Sequence, residues 1–285
     1  MGTRGRFGLI GRQATGKLWT ALAALLWVLA GCGVPEAGPA ASPSDLARVL
    51  AAGELRVGTR ADLPPLNMRN RKGELVGLEI DLIRALGKAM NLKVSFVERP
   101  FVELLPALER NEVDMVVAGL TITPERNARV AFAGPYFISG TSILSANSEL
   151  AEVEDPAALD DPARSYAALE SSTNLAFIKA NMPRAKVVTV PTNEAGVQMV
   201  LKKEVDALIA DFQVCQLAQW RQPDAGLYAR AYPFTTEPLG IALPPNAPLL
   251  LNLVTNYLNT LENTGELAEL KARWLSNGSW VAELP

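Results

Sequence analysis

Arg126 is a candidate anion-binding residue because it follows a predicted helix start at the end of a predicted strand. The apolar segment 113–120 predicts a continuous buried strand, and Thr123 is a good N-cap for a helix beginning just after it. Backbone N–H groups at a helix N-terminus and the fork of a guanidinium group both suit a carboxylate. The alternative is that Arg126 forms a surface ion pair with Glu125 or Asp114.

Polar side chains also follow two predicted strands in the second half of the chain. Ser172 and Thr173 lie where a strand gives way to a helix, and Asp211 directly follows the apolar segment 205–210. A carboxylate at that point could pair with an ammonium group, and hydroxyl groups could hydrogen-bond a ligand. Ordinary helix capping is the alternative for these residues. Phe101 opens another predicted helix and is either a wall of the site or a core residue.

The composition excludes several kinds of chemistry. The 285 residues include no histidine, so no catalytic triad, metal site or general base can rely on imidazole. With 27 basic and 30 acidic side chains, the chain lacks the basic excess that suits nucleic acid. We expect no metal and no cofactor. An enzyme built on this chain would have to use carboxylates, lysine, serine or tyrosine.

The first 31 residues have the pattern of a secretion signal. Basic residues without acidic ones precede an apolar run at 18–30, which ends in Leu-Ala-Gly before Cys32. Such a run spans only about 20 Å as a helix, less than a hydrocarbon core of about 30 Å, so a transmembrane anchor is disfavoured. The ending resembles the bacterial lipobox, which implies cleavage before Cys32 and a lipid on its sulfur. Residues 32–45 predict a flexible, lipid-anchored tether.

Strand and helix patterns alternate from residue 46 onward. Apolar residues spaced by three and four predict helices, whereas short apolar or alternating runs predict strands. In the first half we predict strands at 55–59, 93–98 and 113–120, and helices at 79–90 and 101–109. In the second half we predict strands at 165–169, 187–190 and 205–210, and helices at 173–181, 193–202 and 212–220. Two C-terminal helices, at 247–265 and 266–274, are expected to return to the first half.

This repeated order predicts an α/β protein with two lobes of parallel βαβ units. The segments 141–146 and 239–243 are apolar and lie between the two sets of elements. We therefore interpret these two segments as strands that cross between the lobes. Lobe 1 would comprise residues 46–140 and 240–285, and lobe 2 residues 141–239.

Several short motifs follow one another along residues 54–275: Gly58-Thr59 with Pro64-Pro65, Gly77-Leu78-Glu79-Ile80-Asp81-Leu82, Leu105-Pro106-Ala107-Leu108, Gly119 to Arg126, Phe132-Ala133-Gly134-Pro135-Tyr136, and Val205-Asp206-Ala207 with Ala210-Asp211. Their order and spacing resemble the type II periplasmic solute-binding proteins of polar amino-acid ABC transporters, family 3. The resemblance implies a two-lobed fold with two crossover hinge strands that closes on its ligand.

The resemblance also implies roles for individual residues. Arg126 would hold the α-carboxylate of the ligand, and Asp211 would pair with its α-ammonium group. Gly119 and Thr121 would support the carboxylate through the backbone and the side chain. The remaining implied contacts are Ser172 and Thr173 from lobe 2, Phe101 stacking on the ligand side chain, and Leu63 at a position that is often aromatic in the family.

Departures from the family pattern leave the ligand's side chain open. Leu63 and Leu66 stand where aromatic residues are usual, and Arg60 stands where some relatives have an acid. An apolar wall of Leu63, Leu66 and Phe101 would favour an apolar or aromatic ligand. Arg60, if it points inward, would instead favour a second anion, such as a dicarboxylate.

The function implied by the resemblance is that of a non-enzymatic, monomeric binding protein outside the cytoplasm. It would pass an amino acid or related carboxylate to an ABC transporter permease. The same fold includes cyclohexadienyl dehydratase, and the stretch Ser172-Thr173-Asn174 resembles that enzyme. The general acid of the enzyme follows the asparagine, where this chain has Leu175, which disfavours dehydratase activity. A ligand sensor for a separate membrane protein is a third alternative.

Overall fold

The computed structural model describes residues 1–2, 45–276 and 278–284. The chain divides into two compact units, Met1–Pro43 and Ser44–Pro285, and the second contains all of the described helices and strands. The predicted signal peptide and the tether that begins at Cys32 lie outside the described residues, apart from Met1, Gly2 and Asp45. Within the described part of the chain, no helix is long and apolar enough to cross a membrane. The same residues include no acidic or thiol cluster that could hold a metal ion.

The strands of the described residues are β1 (Glu54–Thr59), β2 (Asp62–Leu63), β3 (Asn67–Arg69), β4 (Leu75–Val76), β5 (Lys93–Glu98), β6 (Met115–Val116), β7 (Ala131–Ser139), β8 (Thr141–Ser145), β9 (Ser165–Leu169), β10 (Lys186–Val190), β11 (Ala207–Asp211), β12 (Tyr228–Ala229) and β13 (Glu237–Leu243). The α-helices are α1 (Asp45–Ala52), α2 (Leu78–Ala89), α3 (Phe101–Glu109), α4 (Pro124–Asn127), α5 (Ser148–Ala151), α6 (Thr173–Asn181), α7 (Asn193–Leu201), α8 (Phe212–Arg221), α9 (Pro248–Thr264) and α10 (Glu266–Leu275). Three 3-10 helices lie at Pro156–Leu159, Pro223–Ala225 and Gly278–Glu283.

Two five-stranded sheets form the two lobes. The strand order is β5-β1-β6-β13-β7 in lobe 1 and β10-β9-β11-β8-β12 in lobe 2, and β2, β3 and β4 make a small third sheet. In lobe 1, β1 runs parallel to β5 and β6, and in lobe 2, β9 runs parallel to β10 and β11. Ligands of open α/β sheets bind beyond the carboxyl ends of such strands. The two-lobed α/β fold predicted from the sequence is therefore confirmed.

Most predicted helices and strands have observed counterparts. The differences are one predicted strand that is shorter than expected and some elements that were not predicted. The predicted strand at 113–120 is buried throughout, but it pairs only over Met115–Val116. The chain bends at Gly119, which has a φ of +65°. The strand β7 and the helix α1 were not predicted. Gly134-Pro135 interrupts the apolar pattern of β7, and α1 is only two turns long.

The interpretation of 141–146 and 239–243 as crossing strands is wrong. β8 pairs only with lobe 2 strands, and β13 pairs only with lobe 1 strands, so neither strand crosses. The chain instead passes between the lobes at Gly140 and within residues 230–236. A Cβ atom on Gly140 would collide with the carbonyl oxygen of Thr235, and Thr141 N–H donates to Thr235 Oγ1 at 2.8 Å. The two crossings therefore pack against each other.

The C-terminal helices α9 and α10 contact α2 of lobe 1. Tyr257 of α9 donates a hydrogen bond to Leu82 O at 3.1 Å, and Trp274 of α10 donates to Asp81 at 3.0 Å. Leu82 is buried in the main apolar cluster together with Leu78, Ile83 and Leu86 of the same helix. Burying one such leucine stabilises the fold by about 1.5–3 kcal/mol. These contacts hold α2, and with it Glu79, against the lobe 1 sheet.

Candidate functional site

Residues of both lobes enclose a small cavity of about 10 Å³. A cavity of this size holds about one water molecule, so a larger ligand enters only if the lobes or their side chains move apart. An adjoining cavity of about 400 Å³ shares part of its lining. Arg60, Phe101, Gly119, Thr121 and Arg126 line the small cavity from lobe 1, and Leu169, Ser172, Thr173, Asn174, Asn193 and Asp211 line it from lobe 2.

Arg126 sits in the first turn of α4, where Thr123 caps the helix by accepting from Arg126 N–H at 3.3 Å. Its Nη1 donates to Thr121 O at 2.9 Å, and its Nη2 reaches Ser171 O across the cleft at 3.4 Å. Over residues 45–276, no carboxylate lies at ion-pair distance from Arg126. Asp114, one of the two alternatives from the sequence, pairs with Arg48 and Arg56 instead. Burial lowers the pKa of Arg126 from its usual value. The guanidinium is thus a desolvated cation without an anionic partner in contact.

Asp211 occupies the N-cap position of α8, but its side chain makes no capping hydrogen bond. It accepts instead from Asn174 Nδ2 at 2.8 Å. Desolvation raises the pKa of Asp211 to about 6, and the charge of Glu237 adds to the shift, whereas Arg60 and Arg126 oppose it. The capping alternative does not describe this side chain. Its carboxylate faces the cavity, where a cationic group would relieve its desolvation.

The backbone N–H of Gly119 is hydrogen-bonded to a buried carboxyl group. Its N–H donates to Glu79 Oε1 at 2.8 Å, and Glu79 also accepts from Asn67 Nδ2 at 2.6 Å and from Tyr136 Oη. Burial raises the pKa of Glu79. The Gly119 N–H therefore does not point at a ligand, contrary to the expectation that amides across this segment would be free. Asn67 Oδ1 also accepts from Ala61 N–H at 2.9 Å, so Glu79 links both loops of lobe 1 that reach the site.

Thr121 presents its backbone N–H differently. It forms an isolated antiparallel bridge with Leu239, in which Ile122 N–H donates to Pro238 O at 2.8 Å and Gly240 N–H donates to Leu120 O at 2.9 Å. In such a pair the N–H and carbonyl of the central residue point away from the partner strand. The carbonyl of Thr121 accepts from Arg126, and its N–H is left for a carboxylate beside that guanidinium.

Glu237 is a site residue that sequence analysis missed. It lies at the start of β13, is 8% exposed, and accepts from four threonine hydroxyl groups. One carboxylate oxygen accepts from Thr121 at 2.7 Å and Thr173 at 2.8 Å, and the other accepts from Thr141 at 2.7 Å and Thr235 at 3.1 Å. Because Thr121 belongs to lobe 1 and Thr173 to lobe 2, Glu237 joins the lobes at the crossing. The strand-end rule could not find it, since β13 is antiparallel.

The hydroxyl groups of Thr121 and Thr173 are acceptors toward the cavity. A hydroxyl has one proton, and both hydroxyls donate theirs to Glu237, so only oxygen lone pairs remain for a ligand. The two oxygens lie 3.4 Å apart. Such lone pairs suit an ammonium group and not a carboxylate. This contradicts the expectation that the Thr121 side chain supports a carboxylate, whereas the Thr121 N–H remains a candidate for that role.

Of the other predicted residues, Ser172 and Phe101 line the cavity. Ser172 caps α6, with its Oγ accepting from Leu175 N–H at 3.1 Å and donating to Leu169 O at 2.6 Å, so its hydroxyl is already used. The ring of Phe101 lies under two guanidinium groups, with centroid distances of 5.2 Å to Arg60 and 5.6 Å to Arg126.

Leu63 and Leu66 do not line the cavity. Both are fully buried in the main apolar cluster of the chain. Leu63 occupies the space where a Cβ atom on residue 119 would otherwise lie, which is why only glycine fits there. The predicted apolar wall of Leu63, Leu66 and Phe101 is thus reduced to Phe101 on the cavity side. Arg60 and Asn174 take its place as cavity-lining residues.

Taken together, the site presents separated charges across a cleft. Lobe 1 provides guanidinium groups and the Thr121 N–H, and lobe 2 provides the carboxylate of Asp211. A two-lobed α/β fold with its polar groups gathered between the lobes defines the class of type II periplasmic binding proteins.

Comparison with known proteins agrees with this class. The profile of the bacterial extracellular solute-binding proteins, family 3, matches residues 55–277, and the chain belongs to this family. The chain is 25% identical to cyclohexadienyl dehydratase of Pseudomonas aeruginosa, over 82% of this chain and 87% of that protein. It is 28% identical to the L-arginine-binding protein of the same organism, over 78% and 88% of the two chains.

Solved structures give the same result. A binding component of an ABC transporter from Wolinella succinogenes, complexed with lysine, has a TM-score of 0.75 and 32% identity, covering 81% of this chain and 99% of that chain. An ancestral amino acid-binding protein, described as a precursor of cyclohexadienyl dehydratase, has a TM-score of 0.74, 32% identity and the same coverage. The family predicted from the motifs is confirmed.

Proposed function

We propose that this protein captures a free α-amino acid between its lobes and delivers it to an ABC transporter permease. Arg126 and the Thr121 N–H bind the α-carboxylate, and Asp211, with the lone pairs of Thr121 and Thr173, binds the α-ammonium group. The observation that carries the proposal is that Arg126 and Asp211, two desolvated groups of opposite charge, line one cavity from opposite lobes without forming an ion pair with each other. An α-amino acid supplies the missing counter-charge to each group.

Hinge closure would complete these contacts. Glu237, Thr121 and Thr173 connect the lobes at the crossing, and Arg126 reaches Ser171 O from the opposite lobe. A ligand that binds both lobes stabilises the closed arrangement over the open one by its differential affinity. We expect the carboxylate to bind to lobe 1 first, through Arg126 and the Thr121 N–H, and the ammonium group to meet Asp211 when lobe 2 closes.

A thermal-shift screen of amino acids tests the proposal. A ligand present at 100 times its dissociation constant adds about 2.7 kcal/mol to the free energy of unfolding, which is visible as a higher melting temperature. We expect at least one amino acid to give this shift, and the Arg126→Ala variant to lose it. No shift with any amino acid, followed by no binding in calorimetry, would remove the proposal.

Lipid anchoring at Cys32 and export across the cytoplasmic membrane are parts of the same proposal. They rest on the basic start, the apolar run at 18–30 and the lipobox-like ending before Cys32. In a bacterial host we expect the mature protein to partition with membranes and to carry acyl groups by mass spectrometry. The Cys32→Ser variant should lose both properties. An unmodified Cys32 in mature protein would contradict the anchoring.

Cyclohexadienyl dehydratase activity is the second candidate, favoured by the similarity to that enzyme and by Asp211. A carboxyl group with a pKa of about 6 is protonated often enough near neutral pH to act as a general acid. Leu175, at the position of the enzyme's acid, is 8% exposed and packs in the lobe 2 core. Incubation with prephenate or arogenate, with chromatography of the products, tests the activity; we expect no turnover. Turnover by the parent that disappears in the Asp211→Asn variant would contradict the proposed capture function and support dehydratase activity instead.

A further inference from the structure

Arg60 is a buried cation at the cavity that the proposed contacts to the α-carboxylate and α-ammonium groups leave unused. It follows directly after β1, its side chain is 3% exposed, and it lines the cavity. Its Nε pairs with Asp62, but its Nη2 is buried without a hydrogen-bond partner in the described part of the chain. A buried donor that finds no acceptor destabilises the folded protein, and a charged donor does so more strongly. Arg60 Nη2 therefore lacks an acceptor within the described part of the chain, and a ligand could provide one.

The backbone next to Arg60 is held in place, and its side chain lies over an aromatic ring at the cavity. Ala61 has a φ of +64°, and its N–H is held by Asn67 Oδ1 at 2.9 Å, which in turn is tied to the buried Glu79. The guanidinium then lies over the Phe101 ring at 5.2 Å, and Arg126 lies over the same ring at 5.6 Å. Two cationic groups, Arg60 and Arg126, therefore lie against the Phe101 ring in one cavity. One of them is sufficient for an α-carboxylate, so the second is available for another anion.

The charges around the cavity agree with a ligand that has two anionic groups and one cationic group. Arg60 and Arg126 face Asp211, and Asp62 satisfies only one edge of the Arg60 fork. A cationic ligand side chain would meet Arg60 as a like charge, and an apolar one would leave Nη2 unpaired. A carboxylate on the ligand side chain satisfies this donor.

We propose that Arg60 selects the ligand side chain, and that the preferred ligand is an acidic amino acid whose side-chain carboxylate accepts from Arg60 Nη2. This inference rests on the proposed binding of an α-amino acid by Arg126 and Asp211. It adds a ligand class that differs from the lysine and arginine named for two of the similar proteins.

Calorimetry with matched ligand pairs tests the inference. L-glutamate is compared with L-glutamine and L-aspartate with L-asparagine, because each pair differs in one charge and hardly in shape. L-arginine is the cationic probe. The full chain should bind the better acid about 100-fold more tightly than its amide, since the amide offers no charge to a desolvated guanidinium. L-arginine should bind more weakly than either acid.

The variant Arg60→Met keeps the unbranched stem of the side chain, as far as the position of Nε, and removes the charged guanidinium group. It should lose the acid affinity by about 100-fold and leave the amide affinity within about threefold, so that the preference disappears. Arg60→Lys should restore part of it. Arg69→Met is the matched control, because Arg69 is an exposed arginine that pairs with Glu98 away from the cavity, and it should keep the preference. Unchanged melting of the unliganded variants excludes misfolding.

Each outcome separates this inference from the proposed function. Amino acid binding without a preference for acids, or with a preference for L-arginine, overturns the role of Arg60 and leaves amino acid capture intact. An acid preference that survives in Arg60→Met also overturns that role. Failure of every amino acid to bind overturns both proposals together.

Discussion

The two lobes have the same scaffold but opposite roles at the cleft. Each has a sheet with three parallel strands, and in each the polar residues follow the carboxyl ends of those strands. In lobe 1 these ends carry Arg60 and Arg126, and in lobe 2 they carry Asn174 and Asp211. The backbone therefore sets where ligand groups lie, and the side chains set which charge each lobe accepts. Under the proposed function, a zwitterionic ligand would be recognised only when both lobes meet.

Removing the lobe 1 cation should have the largest effect on binding. In Arg126→Ala the ligand carboxylate is buried without its partner, which costs about 3–5 kcal/mol and weakens binding by at least about 100-fold. Isothermal calorimetry with the preferred amino acid measures this change. Arg129→Ala is the matched control, since Arg129 is exposed and pairs with Glu109. Equal affinity of the parent and Arg126→Ala would move the carboxylate site elsewhere.

Removing the lobe 2 anion should have the next largest effect and should change the pH dependence. Asp211 must be ionised to pair with an ammonium group, and its pKa in the unliganded protein is about 6. The affinity of the parent should be level above pH 6 and fall about tenfold per pH unit below it. Asp211→Asn should bind about 100-fold more weakly at pH 7.5 and show a flat profile between pH 5 and 7.5.

The control for this pH series is Asp224→Asn, a change of the same charge at an exposed residue. It should keep the parent's affinity and pH profile. A parent profile that is flat down to pH 5 would show that the ammonium group is not held by a titrating carboxylate.

The same lobe 2 anion should destabilise the empty protein. The folded-state pKa of Asp211 lies above the usual 3.8, so ionising it costs free energy of folding, and stability falls as the pH rises from about 4 to about 6. Asp211→Asn should raise the free energy of unfolding by about 1–3 kcal/mol at pH 7.5. Below pH 4 the gain should vanish. Urea denaturation at both pH values measures it, and an Asn variant less stable at pH 7.5 would contradict the assigned burial.

The smallest effect on binding should come from changing Glu237, which connects the two lobes and is not one of the proposed ligand contacts. In Glu237→Gln the amide NH2 group cannot accept from hydroxyl groups, so two of the four threonine hydroxyls lose their acceptor. The link between the lobes weakens, and we expect about a tenfold loss of affinity. The pKa of Asp211 should also fall, because the charge of Glu237 contributes to raising it. Small-angle scattering should show a more open unliganded protein. A variant that stays closed and binds its ligand with the parent's affinity would limit Glu237 to a role in local packing.

Several residues that sequence analysis predicted from the ends of strands line the cavity, because one rule governs their position. Arg126, Asp211, Thr121 and Thr173 all follow strands whose apolar pattern is visible in the sequence, and parallel strand ends meet at one edge. The same rule extends to Asn193, which opens α7 after β10 and was missed. It fails for Glu237, because this residue begins an antiparallel strand after an irregular crossing.

The sequence by itself determined the two α/β lobes, the absence of histidine chemistry and the positions of Arg126 and Asp211, since these depend on local periodicity and residue type. Only the tertiary structure decided which donors and acceptors were still free. It committed the Gly119 N–H to Glu79, the Thr121 and Thr173 protons to Glu237, and the Ser172 hydroxyl to its own helix. It also placed Leu63 in the core and Arg60 at the cavity. Hydrogen bonds between distant segments set these outcomes, and no spacing along the chain encodes them.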